Sequence, residues 1–346
     1  MSCTMPQPSA AADASTPVRS AALVILGPTA GGKSSLAIEL ARRLPSAGLG
    51  TGEVISADSM QVYRGMDIGT AKTPAHERGG VPHHLIDLVE PSDDSFSVDR
   101  WLEVCRQTID DIRARGKVAI VVGGTNLYVQ ALVGGLADEL PPPDEELRER
   151  LNAMEPQRLR ARLAEVDPVA AGRIHVNDRK RTIRAIEVFE QTGSTLSAMH
   201  SQWERSPHTA VGQTRSSTFI VGLEYPVEVI NRRINARVKG MIEAGLIDEV
   251  RGLIEGGLAG GRLGRNAREA LGYKQIIDHL EGRMSLEEAI EQIKIRTRRY
   301  AKQQRTWLRR FRAWQPSAWL DAAEQSTQSL ADQALAAIEH SRGEPG

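Results

Sequence analysis

Cysteines, aromatic residues and long apolar runs are all scarce in this sequence. Two cysteines, Cys3 and Cys105, are too few for a disulfide framework, and no Cys/His cluster has the spacing of a zinc site. Such cysteine usage is typical of a reducing compartment, so we expect a cytoplasmic protein. No run of about 18 apolar residues is present, so we expect no membrane-spanning helix and no membrane partner. Aromatic residues make up 4% of the chain, which disfavours a large aromatic-rich β-sandwich.

The chain also lacks an excess of either charge. It has 44 Lys and Arg residues and 44 Asp and Glu residues, which excludes a uniformly basic protein that coats nucleic acid but not a local basic patch. Its first residues contain much Ala, Ser and Pro, and no basic start precedes an apolar block. Residues 1–19 are therefore predicted to be a disordered tail rather than a signal peptide.

Alternating strand and helix patterns predict a parallel sheet in the first part of the chain. Continuous apolar runs at 21–26 and 117–122 are typical of buried parallel strands, and 52–56 has the same character. Helical spacing extends over 33–44 and 98–115. Strands and helices that alternate in this way form βαβ units, so the predicted fold class is α/β.

The pattern changes at the three prolines 141–143. Residues 144–200 are charged and helical, and an apolar run at 217–224 then predicts another strand. We favour a helical insertion between two parts of one core, because a lone strand needs a sheet to join. A separate helical domain with its own strand is the alternative. The predicted division is a first core part at 20–140, the insertion at 141–215, a second core part with basic helices at 216–320, and a C-terminal tail at 321–346.

A glycine-rich motif follows the first predicted strand. Residues 27–34 match the phosphate-binding pattern G-x-x-x-x-G-K-[ST] without a mismatch, between a buried strand and a helix start. Backbone N–H groups of such a loop bind phosphate oxygens, Lys33 neutralises the outer phosphate, and Ser34 can bind Mg²⁺. An incidental glycine-rich turn is the alternative. The candidate diphosphate-binding residues of this motif are Gly27, Thr29, Ala30, Gly31, Gly32, Lys33 and Ser34.

The metal-binding acid that ATP-hydrolysing P-loop proteins carry at a strand end is not evident. The predicted strand 117–122 ends in Gly123 and Gly124, and Asp87 follows only three residues that could form a strand. Asp58 is the acid at a strand end, directly after 52–56. A P-loop alone indicates a di- or triphosphate, so a substrate bound through its diphosphate is also compatible with the sequence.

Three segments together carry a family resemblance, at residues 27–35, 56–72 and 122–128. Further matching residues are Asp167-Pro168, Arg173 to Asp178, Arg181, Arg184 to Glu187 and Gly272 to Lys274. The chain resembles the tRNA dimethylallyltransferase (tRNA isopentenyltransferase) family, bacterial type, over about residues 20–320. Segment 56–72 is the most specific, because many families share the P-loop. Eukaryotic relatives carry a C-terminal zinc finger, for which this chain has no cysteines.

The resemblance implies a P-loop NTPase-like parallel-sheet core with an all-helical insertion domain, and it also implies a reaction. A dimethylallyl group passes from dimethylallyl diphosphate to N6 of adenine 37, beside the anticodon of tRNAs that read codons starting with U. Diphosphate leaves, and no ATP is used. The expected partners are the tRNA anticodon stem-loop and dimethylallyl diphosphate, the expected cofactor is Mg²⁺, and the expected assembly is a monomer.

Asp58 and Thr125 are the candidate catalytic residues. Asp58 stands at a strand end, where α/β sheets bind ligands. The resemblance makes it the general base that accepts the proton from N6. By spacing alone, a helix N-cap, a turn residue or a metal–water ligand are its alternatives. The resemblance makes the Thr125 hydroxyl a donor to the bridging oxygen of the diphosphate; a helix N-cap is its alternative, and both roles are compatible.

Two arginines extend the predicted diphosphate site. Arg233 and Arg237 lie one turn apart on a predicted helix, so they share a face. The resemblance places an arginine here on the diphosphate, most strongly Arg237. Two solvated arginines are the alternative.

A stacked adenine cannot reach a catalytic group, so the target base must leave its stack and RNA-binding residues are needed around the site. The resemblance places Asp58, Ser59, Met60, Gln61 and Thr125 at the target nucleotide. In the insertion it places a tRNA-contact segment at Lys180, Arg181, Thr182, Ile183 and Arg184, and it adds Gly272 and Tyr273.

A second basic stretch lies near the C-terminus. Residues 294–312 contain nine Lys and Arg residues and no acidic residue. One helix face carries Arg298, Lys302, Arg305, Arg309 and Arg312, and another carries Ile293, Tyr300, Trp307 and Trp314. We expect the aromatic face to pack on the core and the basic face to bind RNA phosphates. A merely solvated charged surface is the alternative.

Other functions are compatible with parts of this pattern. An isopentenyltransferase for free adenine nucleotides would share the fold, but we expect it to lack the insertion and the basic segments. A P-loop kinase for small molecules would need an arginine-rich lid and a clear metal-binding acid. An RNA-binding protein with a non-functional P-loop is disfavoured because Lys33, Ser34 and Asp58 are intact.

Overall fold

Six parallel strands form the central sheet of the protein. The computed structural model describes residues 22–134, 141, 143–199, 218–256 and 262–343. The predicted tail at 1–19 lies outside the described residues. The strands are β1 (Ala22–Leu26), β2 (Gly52–Ser56), β3 (His83–His84), β4 (Val118–Val122), β5 (Thr218–Glu224) and β6 (Ser317–Asp321). They are ordered β3-β2-β4-β1-β5-β6 with every neighbouring pair parallel, which confirms the predicted α/β fold class.

Helices cover both faces of this sheet. They are α1 (Lys33–Arg43), α2 (Val98–Ala114), α3 (Asn126–Gly134), α4 (Glu145–Asn152), α5 (Pro156–Val166), α6 (Pro168–Arg173), α7 (Arg179–Thr192), α8 (Val227–Glu243), α9 (Leu246–Ile254), α10 (Arg265–Arg268), α11 (Tyr273–Leu280), α12 (Leu286–Phe311) and α13 (Thr327–Gly343). Short 3₁₀ helices occupy Leu44–Ala47 and Ala75–Glu77.

The continuous apolar runs of the strands follow from this double cover. In β1, Leu23 and Ile25 belong to the hydrophobic cluster with α1 and α13, whereas Val24 and Leu26 belong to the cluster with α2, α3, α8 and α12. Successive side chains of a strand point to opposite faces, so a strand covered on both sides has no polar position. β1 is accordingly buried along its whole length.

The insertion has a hydrophobic cluster of its own, formed by α4 to α7. Its buried residues are Leu147, Leu151, Leu159, Leu163, Val166, Ala170, Ile183, Ala185 and Ile186. Asp144, Asp167 and Asp178 start α4, α6 and α7 by accepting hydrogen bonds from the backbone N–H three residues further on. After the insertion the chain returns to the same sheet, because β5 pairs with β1 from Ala22↔Thr218 onwards.

The expectation of a C-terminal tail at 321–346 is wrong. β6 pairs with β5 at the sheet edge, and α13 packs on α1. The buried residues of α13 are Leu330, Ala331, Ala334, Leu335 and Ile338. Alanines supply much of this buried face, so the apolar periodicity of α13 is weak in the sequence. None of the described helices is long and apolar enough to cross a membrane.

Candidate active site

The phosphate-binding loop joins β1 to α1 in a strained turn. Ala30 and Gly32 adopt left-handed φ angles of 60° and 74°, and the Gly31 N–H donates to the Pro28 carbonyl at 3.1 Å. A backbone of this kind forms the concave N–H surface that binds anions in P-loops. Lys33 opens α1, and its Nζ donates to the Pro28 carbonyl at 2.9 Å.

Three side chains from distant parts of the chain hold this loop. The Gln304 Oε1 accepts from the Thr29 N–H at 2.8 Å, and the Tyr225 hydroxyl donates to the Gly31 carbonyl at 2.8 Å. Arg233 donates from Nε to the Ala30 carbonyl at 2.8 Å. Arg233 therefore supports the loop from outside, and the sequence analysis missed Tyr225 and Gln304.

An open cleft extends from the P-loop along the carboxyl ends of β2 and β4. The cleft lies beyond the carboxyl ends of the strands, where parallel α/β sheets usually bind ligands. Its lining residues include Thr29, Lys33, Ser34, Asp58, Gly124, Arg237, Tyr300 and Gln304. The side chains of Thr29, Lys33, Ser34 and Arg237, predicted for diphosphate binding, thus face one space with Asp58, whereas Arg233 is not part of this lining.

Two cations stand at the phosphate end of this cleft. Burial and, to a smaller extent, the Arg237 guanidinium lower the pKa of Lys33 to about 8 against the opposing effect of Asp58. Burial also lowers the pKa of Arg237. The Arg237 guanidinium lies 3.5 Å from the Thr29 hydroxyl. Neither cation forms an ion pair within the described part of the chain, so the cleft holds excess positive charge.

Asp58 and Thr125 come from neighbouring loops at the same edge of the sheet. Asp58 follows β2, and its Oδ1 accepts from the Met60 N–H at 2.9 Å. Thr125 follows β4, and its hydroxyl oxygen accepts from the Ser59 N–H at 2.9 Å. The Thr125 carbonyl begins α3 by accepting from the Tyr128 N–H. The Thr125 hydroxyl is thus bonded to the Asp58 loop rather than to the first turn of α3.

Close backbone contact between these loops requires glycine. The Ala57 N–H donates to the Val122 carbonyl at 2.8 Å, and the Thr125 N–H donates to the Ala57 carbonyl at 3.1 Å. A Cβ at Gly123 would lie 2.1 Å from the Ala57 carbonyl oxygen, closer than any real contact. Glycine at 123 therefore allows the loops that carry Asp58 and Thr125 to lie side by side.

Comparisons with known proteins match the sequence and the fold of this chain to one family. The family model described as IPP transferase matches residues 61–311. The chain belongs to the IPP transferase family. The tRNA dimethylallyltransferase of Geobacillus kaustophilus is 44% identical over 308 residues, which cover 87% of this chain and 90% of the relative. That of Syntrophobacter fumaroxidans is 44% identical over 87% of this chain and 84% of the relative.

Solved structures agree with this assignment. The full-length tRNA isopentenylpyrophosphate transferase of Bacillus halodurans superposes with a TM-score of 0.65 at 38% identity, over 94% of this chain and 97% of that one. A eukaryotic dimethylallyltransferase described as acting on tRNA gives a TM-score of 0.71 at 31% identity, over 88% of this chain and 74% of that one.

Gln61 is held by hydrogen bonds inside its own loop. Its Oε1 accepts from the Ser56 hydroxyl at 2.8 Å, and its Nε2 donates to the Thr70 carbonyl at 3.2 Å. Both ends of the amide therefore have protein partners. The side chain predicted to contact the nucleotide lines the cleft and is bonded to its wall at Thr70 and Ala71, and Ser59 and Met60 beside it are partly exposed.

Tyr273, predicted to contact tRNA, is fully buried. Its hydroxyl donates to Glu249 Oε1 at 2.6 Å, and its ring packs where a Cβ at Gly69 would lie. Glu249 also accepts from the backbone N–H groups of Asp67, Ile68 and Gly69. The side chain of Tyr273 cannot lie at an RNA surface in this structure; with Glu249 it anchors the loop at 67–69. Gly272, at a φ of 96°, precedes it as the start of α11.

Only part of the predicted segment 180–184 reaches the surface. Thr182 and Ile183 are buried: Ile183 belongs to the cluster of the insertion, and the Thr182 hydroxyl donates to the Asp178 carbonyl at 2.9 Å. Arg184 donates to the buried Glu187 at 2.6 Å and to the Pro141 carbonyl at 2.8 Å. Arg181 is 78% exposed in its side chain, and Lys180 is also exposed.

The basic face of α12 is also divided. Arg298 donates to Asn235, and Arg312 pairs with Glu224. The charged side chains of Lys302, Arg305 and Arg309 have no hydrogen-bond or ion-pair partner among the described residues.

The aromatic face of α12 packs less deeply than expected. Tyr300 is 37% exposed at the cleft, and Trp307 is only partly buried. The residues that α12 buries are Ala289, Ile293, Ala301, Gln304, Leu308 and Phe311. Small and polar residues therefore share the core-facing side of α12. The aromatic residues spaced seven apart lie at the edge of that buried face.

Proposed function

We propose that this protein transfers a dimethylallyl group from dimethylallyl diphosphate to N6 of adenine 37 in tRNAs that read codons starting with U. The proposal is carried by one observation: Asp58 faces the same cleft as Lys33 and Arg237, and Thr125 directly follows Gly124 in the lining of that cleft. It accords with the relatives described above, which are tRNA dimethylallyltransferases.

The phosphate end of the cleft suits the diphosphate of this donor. Negative charge develops on the diphosphate as the C1–O bond breaks, and preorganised cations stabilise such charge most in an enclosed site. Lys33, Arg237 and the P-loop N–H groups supply that stabilisation. The Thr125 hydroxyl accepts from the Ser59 N–H and donates to the Ser59 hydroxyl at 3.2 Å, and rotation of its proton would let it donate to the bridging oxygen of a bound donor instead.

Asp58 accepts the proton that the reaction releases. The N6 lone pair forms the new N6–C1 bond as the C1–O bond breaks, and N6 then loses a proton while diphosphate departs. Asp58 Oδ1 is bonded to the Met60 N–H, and no hydrogen bond to Oδ2 exists among the described residues. That second oxygen can therefore accept the proton from N6 within the cleft.

The residues at the P-loop fit Mg²⁺. Ser34 lines the cleft directly after Lys33, and a hydroxyl with phosphate oxygens and waters is a ligand set that Mg²⁺ accepts. The described residues contain no group of three His, Cys, Asp or Glu that could hold a metal, which agrees with a metal held mainly by the substrate. When bound, Mg²⁺ would neutralise charge on the diphosphate.

The exposed cations suit an RNA substrate. Lys302, Arg305 and Arg309 on α12 and Lys180 and Arg181 on α7 are accessible positive charges without a strong internal partner. Such charges bind phosphates and displace counterions. They provide a surface for the anticodon stem-loop around the cleft.

A transfer assay tests the proposal. The purified protein is incubated with Mg²⁺, radiolabelled dimethylallyl diphosphate and either tRNA or AMP, without ATP. We expect label in tRNA at adenine 37, loss of transfer in Asp58→Asn, and no loss in Asp110→Asn, an exposed aspartate of α2. Label in AMP alone would assign the protein to free-nucleotide prenylation. Absence of label in both, with phosphate transfer from added ATP, would assign it to the kinases.

A further inference from the structure

Gln304 is a buried polar residue that joins two loops of the cleft. It lies on α12 and is 1% exposed. Its Oε1 accepts from the Thr29 N–H at 2.8 Å, and its Nε2 donates to the Gly124 carbonyl at 2.9 Å. Thr29 lies 275 residues from Gln304 along the chain. One amide therefore links the P-loop after β1 to the catalytic loop after β4.

The chemistry of these two bonds requires a glutamine or a close equivalent. A backbone N–H can only donate and a carbonyl can only accept, so the partner must offer an acceptor and a donor on one rigid group. A carboxylate would accept from Thr29 but repel the Gly124 carbonyl oxygen. An apolar side chain would leave both backbone groups unsatisfied in a buried position.

Each loop carries part of the proposed machinery. Thr29 lies in the loop that leads to Lys33, and its hydroxyl lies close to the Arg237 guanidinium of α8. Gly124 precedes Thr125, which accepts from the Ser59 N–H of the Asp58 loop. The distance between the leaving-group site and the proton acceptor therefore depends on the separation of these loops.

The packing leaves little freedom for this separation. The Gly124 carbonyl also accepts from the Tyr300 hydroxyl at 2.8 Å, one helical turn before Gln304. A Cβ at Gly124 would lie 2.5 Å from Gln304 Nε2, so glycine allows the amide to approach the loop. Two side chains of α12 thus fix one carbonyl from the same side.

We propose that Gln304 is a positioning residue that sets the P-loop and the Thr125 loop at the separation needed for prenyl transfer. The inference rests on the proposed function. Because Gln304 lies on α12, the distance between the two loops also depends on the position of this helix, whose outer face carries Lys302, Arg305 and Arg309. Gln304 itself does not contact the reacting atoms.

The test compares Gln304 with its exposed neighbour Gln303. The variants are Gln304→Leu and Gln304→Glu, with Gln303→Leu and Gln303→Glu as controls for size and charge. For both Gln304 variants we expect kcat for tRNA prenylation to fall on the order of tenfold to a hundredfold, because small misplacements of reacting groups are costly. We expect tRNA Kd to stay within about twofold, because the RNA-binding face is intact.

A pH profile separates positioning from general damage. In Gln304→Glu, a protonated carboxyl can again donate to the Gly124 carbonyl, so kcat relative to wild type should rise as pH falls from about 8 to about 6. Gln304→Leu and the Gln303 controls should show no such recovery. Equal kcat in the Gln304 and Gln303 variants, or a parallel pH profile for Gln304→Glu and wild type, would overturn the proposal.

Binding of dimethylallyl diphosphate without tRNA distinguishes this proposal from the proposed function. We expect Gln304→Leu to weaken donor binding several-fold by displacing the Thr29 end of the P-loop, whereas Gln303→Leu should not. If wild type binds the donor but transfers nothing to tRNA, the function fails while this comparison still tests the positioning role. Unchanged donor affinity and unchanged kcat in Gln304→Leu, with normal folding by circular dichroism, would refute it.

Discussion

Glu187 in the insertion and Lys33 in the cleft are both enclosed charged residues, but their surroundings differ. Glu187 has no exposed side-chain surface, and it accepts from Arg148 at 2.8 Å, from Arg184 at 2.6 Å and from the Asp144 N–H at 2.9 Å. Lys33 donates to the Pro28 carbonyl and faces another cation, Arg237, with Asp58 as the opposing charge.

The difference separates charges that stabilise the protein from charges that await a ligand. A buried carboxylate with several donors is satisfied by its own fold. Lys33 is instead buried near a second cation, Arg237, and its lowered pKa reports the cost of its burial first and of this repulsion second. A multiply charged anion in the cleft would remove this cost. The insertion is therefore electrostatically complete without substrate, whereas the cleft is not.

Removing the Lys33 charge should give the largest effect. In Lys33→Met we expect transfer activity to fall on the order of a thousandfold, because charge on the leaving diphosphate loses a preorganised donor. The free energy of unfolding of the ligand-free protein should instead rise by about 1 kcal/mol at pH 7, because a desolvated cation is removed. Single-turnover kinetics and thermal denaturation measure the two effects.

Lys274→Met is the matched control, since Lys274 pairs with Glu269 on the surface. It should change neither quantity by more than about twofold or 0.5 kcal/mol. A Lys33→Met protein that is both inactive and less stable than wild type would contradict the comparison between the cleft and the insertion.

Removing the Glu187 charge should have the opposite signature. In Glu187→Ala we expect the insertion to lose about 3 kcal/mol of stability, because Arg148 and Arg184 lose their shared buried partner. Hydrogen exchange should rise in α4 and α7, while donor binding in the cleft stays normal. Glu190→Ala, which breaks more exposed pairs with Arg150 and Arg162, should cost about 1 kcal/mol or less. Weakened donor binding in Glu187→Ala would show that the two regions are not independent.

The pKa of Lys33 predicts a pH dependence for donor binding. Burial lowers the folded-state pKa from 10.5 to about 8, so free Lys33 loses its proton as pH rises through 8. Donor affinity should be flat below that value and should fall by about tenfold per pH unit above it, because the diphosphate binds the protonated amine. In Lys33→Arg the affinity should stay level to about pH 10, since an arginine keeps its charge. Calorimetric titrations of both proteins at each pH give the ratio of their donor affinities, and in this ratio any titration of the ligand itself cancels.

The same lysine affects stability with a definite sign. Because its folded pKa is depressed, the unfolded chain binds more protons between pH 8 and 10.5. The contribution of Lys33 to stability should therefore rise with pH across this window. Lys33→Met should abolish that contribution.

The sequence predicted the parts of the site that lie within short segments. The P-loop and Asp58 follow strands whose apolar runs are unmistakable, and the edge of a parallel sheet brings strand ends together. Gln304, Tyr225 and Glu249 could not be found in this way, because they act on loops 275, 194 and about 180 residues away. Only tertiary packing joins them to the site.

The family motif also failed to indicate which side of a helix faces solvent. Ile183 and Tyr273 belong to segments that match relatives, yet their side chains are buried. A motif residue can be shared by a family because it packs in the core, as well as because it contacts RNA. The signal that could have separated them is the 3.6-residue period, which places Ile183 with Ile186 on the apolar face of α7.

Exposed cations give the last and smallest expected effect, and they extend the comparison to the surface. α12 offers Lys302, Arg305 and Arg309, whereas α7 offers Lys180 and Arg181, of which Arg181 lies 3.4 Å from Asp178. Each cation that binds an RNA phosphate adds about 0.7 to 0.9 to the slope of log K against log salt. Replacing the three α12 cations with glutamine should thus lower the tRNA-binding slope by about 2.

The double variant Lys180→Gln with Arg181→Gln should lower the slope by about 1, because the partial pair with Asp178 already neutralises some of the Arg181 charge. Filter binding across a salt series measures both slopes, and thermal stability should change in neither variant. A larger loss from the α7 pair would mean that the insertion holds the RNA mainly through these two residues. An unchanged slope in the α12 variant would make its basic face a solvated surface, and the link through Gln304 would then serve the cleft alone.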